Sequence, residues 1–392
     1  MAYSDEQAAL CALNKVFGYH PLKVLPLIEQ SGSALALFDT SAEGVWGIRP
    51  PASETTLNAN LLAWGRRELE ELDRRGFRFL GITDEDYPEA LRACEDPPLG
   101  LYLNGSSSPT EIFGLRPLVA FVGTRDLSPY GKEWCRKLVA SLADAQTPPC
   151  IVSGLAYGAD GVAHRTALEV GLPTVGVMAT GIDTVYPSRH TDLAMDMVRT
   201  PGCALVTDYP LGTAPVALNF VRRNRIIAGL ARAVVVVESK TRGGSLMTAR
   251  YACDYGRDVF AVPGRLDDVR SAGCNSLIAS DMARIVTSAD ALAGELGLSP
   301  RGRGAGGSWA TAASQAPEEV LRALLVRRYG PGSPLVPVGL AVRSQRGATP
   351  DELASALGLP FPEVLAAVGR LEADGLVSTD LLRRCIIAPA YA

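Results

Sequence analysis

The sequence lacks the marks of membrane and secreted proteins. No uncharged stretch in its 392 residues reaches the ~18 residues that the shortest membrane-spanning helix needs. The opening segment MAYSDEQAAL has no basic region followed by an apolar one, which is the pattern of a signal peptide. We therefore expect a cytoplasmic protein that does not act at a membrane.

Metal-binding and redox motifs are missing as well. The eight cysteines are far apart, none forms a C-x-x-C pair, and only three histidines are present. Reduced thiols of this kind usually serve as small apolar side chains in a core. The sequence therefore predicts neither a metal site nor a cofactor.

What is present is the composition of a globular protein. Hydrophobic residues make up 47% of the chain and charged residues 20%, which excludes general disorder. At about 150 residues per domain, the length predicts two or three domains. The net charge of −4 gives no support to nucleic-acid binding. Any such function depends on how the charge is distributed.

The first two segments of the chain differ in their hydrophobic pattern. Residues 1–78 contain short amphipathic helices, the first starting with the capping-box spacing of Ser4 and Gln7, and predict a small helical bundle. Residues 79–298 alternate short apolar runs with helical segments, which predicts an α/β fold with a doubly wound, Rossmann-like parallel sheet. The expected strands are Leu118–Val122, Cys150–Val152, Thr174–Met178, Cys203–Thr207, Ala233–Val237 and Val259–Val262.

The last two segments form a linker and a small domain. Residues 299–317 are rich in Gly, Ala, Ser and Pro and predict a flexible linker. Residues 318–392 contain a helix that starts at Thr349, a second helix at Pro362–Asp374 and then a strand pair, which is the order of a winged helix. The second helix has one basic and three acidic residues, so we expect this domain to contact protein rather than DNA.

Ligands bind a doubly wound sheet at the carboxyl ends of its strands, so the residues after each strand are the first candidates. The strand Leu118–Val122 is followed by Gly123, Thr124 and Arg125 and, at the next helix, by Ser128. A glycine there lets the backbone approach an anion, and the helix start supplies free N–H groups. This strand end does not have the G-x-G-x-x-G pattern, which disfavours a dinucleotide cofactor, and the sequence contains no G-x-x-x-x-G-K-[ST], which disfavours an ATP-driven motor.

A second strand end carries Ser153, Gly154, Asp160 and His164. Ser, Asp and His side chains together suggest a hydrolase, but Ser153 has no G-x-S-x-G elbow, and Asp160 and His164 are four residues apart on one helix. A structural network is the favoured interpretation, so we assign no catalytic residue here. Gly154 stays a candidate for ligand contact.

The third segment is the most informative because it is basic. Nine Arg and Lys residues lie between 217 and 265 against three acids, an excess of nine minus three, or +6, in a chain of net −4. This predicts a phosphate-binding site, with an aromatic ring that can stack on an unpaired base. A solvated basic face is the alternative. The candidate residues are Phe220, Arg222, Arg223, Asn224 and Arg225.

A fourth segment follows the next strand and precedes a helix. Gly243 and Gly244 stand with Ser245 at the helix start, which is the pattern of a backbone nest for phosphate. Lys240 precedes them and would add a positive charge.

Taken in order, these segments resemble the DNA-processing protein A (DprA/Smf) family. The motifs that carry the resemblance include Tyr87-Pro88, Asp96-Pro97-Pro98-Leu99, Val122-Gly123-Thr124-Arg125, Ser153-Gly154-Leu155-Ala156, Gly181-Ile182-Asp183, Arg223-Asn224-Arg225, Gly244-Ser245-Leu246-Met247 and Gly273-Cys274-Asn275. Thr124, Tyr157 and Gly243 depart from the residues that many members carry at those positions.

The resemblance implies a fold, a function and partners. It implies an extended Rossmann domain that binds single-stranded DNA without hydrolysing it, protects incoming strands in natural transformation and helps to load the RecA recombinase. The implied partners are single-stranded DNA, RecA and a second copy of the chain, and double-stranded DNA stays open. The flanking segments resemble the family's sterile-alpha-motif-like or helix-hairpin-helix-like and winged-helix-like additions.

Two other functions remain as alternatives. Nucleotide-processing enzymes of the lysine-decarboxylase-like group need a P-G-G-x-G-T-type phosphate loop and a catalytic glutamate. Here Gly243-Gly244-Ser245 matches that loop only in part, and Glu238 is the one candidate acid. A scaffold that recruits partner proteins is the second alternative, and it predicts no oligonucleotide binding.

Overall fold

The computed structural model describes residues 3–39, 57–298, 322, 325–326, 328–345, 348–374, 376–379 and 385–387. They fall into two compact units, the first ending at residue 302 and the second starting at 303. The predicted linker at 299–317 lies outside the described residues.

The first unit contains twelve helices and nine strands in the described ranges. The helices are α1 Asp5–Phe17, α2 Leu25–Ser31, α3 Ala59–Arg74, α4 Glu89–Arg92, α5 Pro109–Phe113, α6 Pro129–Ser141, α7 Ala159–Glu169, α8 Thr191–Arg199, α9 Ala217–Leu230, α10 Gly244–Asp254, α11 Ala272–Ala279 and α12 Ala289–Glu295. The strands are β1 Arg78–Gly81, β2 Gly100–Asn104, β3 Leu118–Val122, β4 Cys150–Ser153, β5 Thr174–Val177, β6 Ala204–Thr207, β7 Ala233–Val236, β8 Asp258–Ala261 and β9 Arg284–Ile285.

The nine strands form one sheet in the order β1-β2-β6-β5-β4-β3-β7-β8-β9. The seven strands from β6 to β9 are parallel, which confirms the predicted Rossmann-like sheet. β1 and β2 extend it as antiparallel strands on the β6 side. After β3 the chain builds strands on one side, through β4, β5 and β6, and then continues on the other side with β7. The carboxyl ends of β3 and β7 therefore form a topological switch point.

Helices cover both faces of the sheet because its strands are apolar on both sides. In β3, Val119 and Phe121 contribute to the core on one face, while Ala120 and Val122 contribute to the core on the other. This alternation follows from the period of two of a β-strand. Helices α6, α7 and α12 pack on the first face, and α9 and α10 pack on the second.

The N-terminal helices share the core of the sheet. Ser4 caps α1 with the predicted capping box, and Phe17 of α1 and Leu69 of α3 lie in the same buried cluster as Tyr102 of β2. α3 approaches α1 so closely at Gly65 that a Cβ there would lie 2.2 Å from the Ala8 carbonyl oxygen. The helical bundle therefore packs on the sheet, and the domain boundary at residue 78 stays a prediction.

The second unit contains three helices and a hairpin in its described residues. The helices are α13 Leu335–Ser344, α14 Pro350–Leu357 and α15 Phe361–Ala373, and β10 Val377–Thr379 pairs antiparallel with β11 Cys385–Ile387. Thr349 caps α14 with the predicted capping box. The order agrees with the expected one, while the assignment as a winged helix stays a prediction.

Candidate nucleic-acid interface

A groove of about 650 Å³ opens at the switch point of the sheet. Three stretches of chain line most of it: Gly123–Asp126 after β3, Phe220–Asn224 in α9, and Ser239–Ser245 after β7. Ten of the fourteen residues predicted from the sequence as binding residues line the groove. They are Gly123, Thr124, Arg125, Phe220, Arg223, Asn224, Lys240, Gly243, Gly244 and Ser245.

Two helix starts contribute to the groove. Ala217 begins α9, and Gly244 begins α10, and neither helix has a side-chain cap on its first turn. The first N–H groups of a helix have no partner within the helix, and the helix dipole makes them attractive to an anion. The groove thus offers backbone donors of the kind that bind phosphate.

Three exposed cations stand around the groove. Arg125 follows β3, and Lys240 and Arg242 follow β7. Within the described ranges, none of the three has a carboxylate within salt-bridge distance. Their charges are available to a ligand at little desolvation cost.

Aromatic rings lie beside one of these cations. The Arg125 guanidinium carbon is 5.2 Å from the centre of the Phe220 ring, a cation–π distance. The Phe220 and Tyr186 rings meet edge to face with 5.4 Å between their centres, and Tyr186 is 43% exposed. The groove therefore combines a stacking surface with positive charge.

The floor of the groove is a buried pair of opposite charges. Arg223 is 4% exposed and donates to the carbonyl oxygens of Gly154, at 2.6 Å, and Val177. Burial lowers the pKa of Arg223 to about 10, although the nearby Asp160 carboxylate acts in the opposite direction. Burial also raises the pKa of Asp160, and Arg223 opposes that change. The negative charge of Asp160 therefore offsets part of the positive charge of Arg223 at the floor.

Gly154 does not line the groove itself but packs against the two charged residues of its floor. A Cβ at Gly154 would lie 2.5 Å from Arg223 Nη2 and 2.7 Å from Asp160 Oδ2. The glycine is therefore required for the approach of the two charged side chains, and its predicted part in ligand contact is indirect.

Close backbone packing shapes the two loops at the switch point. A Cβ at Gly123 would lie 2.7 Å from the Ala159 Cβ, and one at Gly243 would lie 2.3 Å from Ser239 Oγ. The Ser245 hydroxyl donates to the same Ser239 Oγ at 2.9 Å. These contacts hold the loops after β3 and β7 in place around the groove.

Ser128 lies outside the groove. Its hydroxyl donates to Glu238 Oε1, its N–H donates to Glu238 Oε2 at 2.9 Å, and the side chain also caps α6. Glu238 is 1% exposed, so both side chains are occupied inside the protein. Ser128 caps α6 and is bound to a buried carboxylate, so this geometry disfavours its predicted contact with DNA, which stays a prediction.

Two of the three predicted arginines of α9 point away from the groove. The Arg222 guanidinium carbon lies 4.0 Å from the centre of the Tyr19 ring. Arg225 is 1% exposed, and its Nη2 is 2.8 Å from Asp208 Oδ2. Neither side chain lines the groove, because α9 turns both toward the N-terminal helices, and their part in DNA binding stays a prediction that this geometry disfavours.

Ser153, Asp160 and His164 do not form a catalytic triad. The Ser153 hydroxyl donates to the Phe121 carbonyl oxygen at 2.6 Å. The Thr174 hydroxyl donates to the Ile151 carbonyl oxygen and so accepts from His164 Nδ1, at 2.7 Å. Burial lowers the pKa of His164 to about 3, which keeps the ring neutral. Each residue is part of the interior, as the structural interpretation expected.

The lining residues that sequence reasoning missed include one cation, Arg242, and one aromatic residue, Tyr186. Arg242 stands between Lys240 and Gly243, and its place in the same strand-to-helix loop was a signal that could have added it. Tyr186 lies in a separate loop after β5, and only the fold brings it to Phe220.

The described parts of the chain contain neither a metal-ligand cluster nor a single helix that could span a membrane. No group of three or more metal-ligating side chains occurs there. No single helix there is long and apolar enough to cross a membrane, and only α14 and α15 together, bent by 120°, have the length and composition.

Comparison with known proteins places the central region in one family. The sequence model of DNA recombination-mediator protein A matches residues 78–297, more than half of the chain. Protein Smf of a Synechocystis species is 39% identical over 232 residues, which cover 59% of this chain and 57% of the relative. The chain thus spans little more than half the length of that relative.

Two solved structures are similar in fold and sequence. The X-ray structure of DNA processing protein A from Streptococcus pneumoniae has a TM-score of 0.62 and 31% identity and covers 75% of this chain and 99% of its own. DNA processing protein A from Helicobacter pylori has a TM-score of 0.50 and 28% identity and covers 56% of this chain and 95% of its own. The description of the latter concerns its mode of binding single-stranded DNA.

Proposed function

Since the chain belongs to the DNA recombination-mediator protein A family, we propose that it binds single-stranded DNA in the groove at the switch point. The observation that carries the proposal is the combination around one opening of three cations with no salt-bridge partner among the described residues, two helix starts without a side-chain cap, and an aromatic pair. Phosphate attracts cations and free N–H groups, while an unpaired base stacks on aromatic rings. The solved relative from Helicobacter pylori supports the same ligand.

The geometry assigns contact with the DNA strand to the rim of the groove and not to its floor. Arg125, Lys240 and Arg242 stand at the rim, where they can follow a sugar-phosphate backbone. Phe220 and Tyr186 present ring surface beside them, suited to one base. The buried side chains of Arg223 and Asp160 lie beneath. Binding of this kind depends on charge and stacking, so we expect little dependence on base sequence.

We propose that the groove binds its ligand without catalysis. Glu238, the acid that a nucleotide-processing enzyme would need here, has both oxygens occupied by Ser128 and lies outside the groove lining. Incubation with nucleoside monophosphates should release no free base. Release of a base that is lost in Glu238→Gln would favour the enzyme instead.

The wider role follows from the family and from this binding site. We propose that the protein acts in the cytoplasm in natural transformation and recombination, where it protects incoming single strands and helps to load RecA. A homodimer is part of this proposal, since two protomers would hold one strand at two points. Double-stranded DNA would fit the groove less well, because its bases are not free to stack on Phe220.

The proposal is tested by titrating a fluorescently labelled oligothymidylate with the full chain at several salt concentrations. Log K should fall linearly with log salt, and Arg125→Ala should reduce the slope by ~0.7, the value of one phosphate contact on a single strand. Arg74→Ala is the matched control, because Arg74 is an exposed cation on α3, paired with Glu71 and distant in sequence from the groove. An unchanged slope in Arg125→Ala, Lys240→Ala and Arg242→Ala alike would reject the groove as the site.

A further inference from the structure

A second cleft of about 330 Å³ lies beside the switch-point groove. It is lined by the loop after β3 and by the packed helices α6 and α7. Arg125 and Asp126 belong to the linings of both openings, so the two are adjacent and share one rim. None of the binding residues predicted from the sequence, apart from Arg125, lines this cleft.

The second cleft is strongly basic. Its lining holds four cations, namely Arg125, Lys132, Arg136 and Arg165, against the single carboxylate of Asp126. All four cations are exposed, and in the described ranges no carboxylate lies within salt-bridge distance of any of them. Asp126 is 3.5 Å from Arg270, so its charge is already shared.

The positive charges of the cleft form no ion pair that would stabilise α6 or α7 within the described ranges. Lys132 and Arg136 are four residues apart on α6, where two like charges repel each other on one helix face. The neighbouring acid on α6, Glu133, lies 2.5 Å from Lys137 instead, so it does not compensate them. An anionic ligand that occupies the cleft would remove the repulsion.

The lining also indicates which part of a nucleic acid would lie there. Apart from the charged residues and the buried His190, the lining consists of Leu127, Gly158, Gly161 and Val162. Among the described residues, no Phe, Tyr or Trp side chain lines the cleft, although Tyr157 meets the lining residue His190 edge to face with 5.2 Å between ring centres. The lining itself therefore offers a base less stacking surface than the groove with Phe220 does. Phosphates are the groups that the cleft can bind.

We propose that the second cleft holds the sugar-phosphate backbone of the same DNA strand where it leaves the switch-point groove, with Arg125 between the two stretches. The proposal rests on the proposed function and adds a second subsite to it. The groove then holds a base together with its phosphate, and the second cleft extends the site by backbone contacts alone. A longer strand should therefore bind more tightly than a short one within a single protomer.

The experiment compares a short and a long oligothymidylate, of about 4 and about 16 nucleotides, the limits of common single-strand site sizes. The full chain carries Arg136→Ala, Arg165→Ala or both, and binding is followed by fluorescence anisotropy at several salt concentrations. Lys137→Ala is the matched control, since it removes a cation from α6 that does not line the cleft.

The proposal expects both single variants to weaken the long strand and to reduce its salt slope by ~0.7 each, with the short strand unaffected. It is overturned if the long strand keeps its parental slope in the double variant, as it would if the cleft served an acidic protein. It is equally overturned if Lys137→Ala loses as much, since the effect would then be that of net charge. Failure of the proposed function looks different, because Arg125→Ala would then leave the short strand unaffected.

Discussion

Replacing Arg225 should unfold the protein more easily rather than weaken DNA binding. Arg225 joins α9 to the N-terminal helices: its Nη2 donates to Asp208 Oδ2 at 2.8 Å and to the Gly18 carbonyl oxygen at 2.7 Å, and Nη1 donates to the Asp96 carbonyl oxygen. Arg225 is 1% exposed and Asp208 7% exposed. In Arg225→Met the carboxylate and two carbonyl groups lose a buried partner.

The loss in the free energy of unfolding in Arg225→Met can be approximated from other buried ion pairs. Removing one partner of a buried ion pair typically costs about 3–5 kcal/mol, because the remaining charge has no compensation. That is a large part of the roughly 5–15 kcal/mol by which folded proteins are stable. The pKa of Asp208 is raised by burial and lowered by Arg225, so its removal should raise that pKa further and let the carboxyl protonate. Protonation limits the loss, and we expect about 3 kcal/mol.

Urea unfolding followed by circular dichroism measures this loss, and a second substitution identifies its cause. In Arg225→Met with Asp208→Leu, both charges are replaced by apolar groups, which is often close to neutral. The double variant should therefore recover most of the free energy of unfolding. Arg125→Ala is the control, because an exposed rim cation should leave the unfolding free energy almost unchanged.

The opposite result would refute this reasoning. If Arg225→Met unfolds with the parental free energy and instead loses ~0.7 of the salt slope, Arg225 contacts phosphate in solution and the sequence-based assignment is right. If the double variant is no more stable than the single one, the loss arises from the carbonyl contacts and not from the unpaired charge of Asp208.

Four further predictions concern stacking, pH, packing and the second unit. Phe220→Leu should weaken binding of an oligothymidylate by ~1–3 kcal/mol without changing the salt slope, whereas a much lower Tm would mark a core residue. The pKa of His164 is lowered to about 3 in the folded protein, whereas in the unfolded chain it is about 6.5, so between these values only the unfolded chain binds the proton. The free energy of unfolding should therefore fall as the pH drops from 6.5 toward 3, by up to about 1.4 kcal/mol per pH unit, and it should fall less steeply in His164→Gln. Gly154→Ala should weaken binding and stability together, because the new methyl group displaces Arg223; a variant that matches the parent in both measurements would contradict this. A chain ending at residue 298 should keep most of its affinity, and a loss above tenfold, ~1.4 kcal/mol, would show that the second unit binds DNA.

The parallel strands could be predicted because each is a short apolar run. The six expected runs agree with β3 to β8 to within one residue at each end, as Leu118–Val122 shows for β3. β1 and β2 were missed, because their inclusion depends on the pairing of β2 with β6, whose residues are distant in sequence. For the same reason the sequence predicts a helical bundle at residues 1–78 without showing that it packs on the sheet. Their amphipathic pattern shows that they bury one face, but it does not show against what.

The arginines of α9 show the corresponding limit for the site. At 100° per residue, Arg222, Arg223 and Arg225 must point in different directions, which the sequence predicts. Which direction faces the groove is set by the neighbours of the helix. Asp208, the partner of Arg225, follows β6 and gives no local signal of that pairing.

The basic excess between residues 217 and 265 therefore predicts that a site exists but not which residues form it. Arg223 and Arg225 are buried and bind partners inside the protein, the Gly154 carbonyl oxygen and the Asp208 carboxylate. Arg265 lies 2.8 Å from Asp267. Lys240 and Arg242 are the two that line the groove in the open. The third rim cation, Arg125, comes from outside the counted stretch, because the reversal of strand order places the loop after β3 beside the loop after β7. The topology of the sheet thus determines which residues form the site, and a count of charges along the sequence does not identify them.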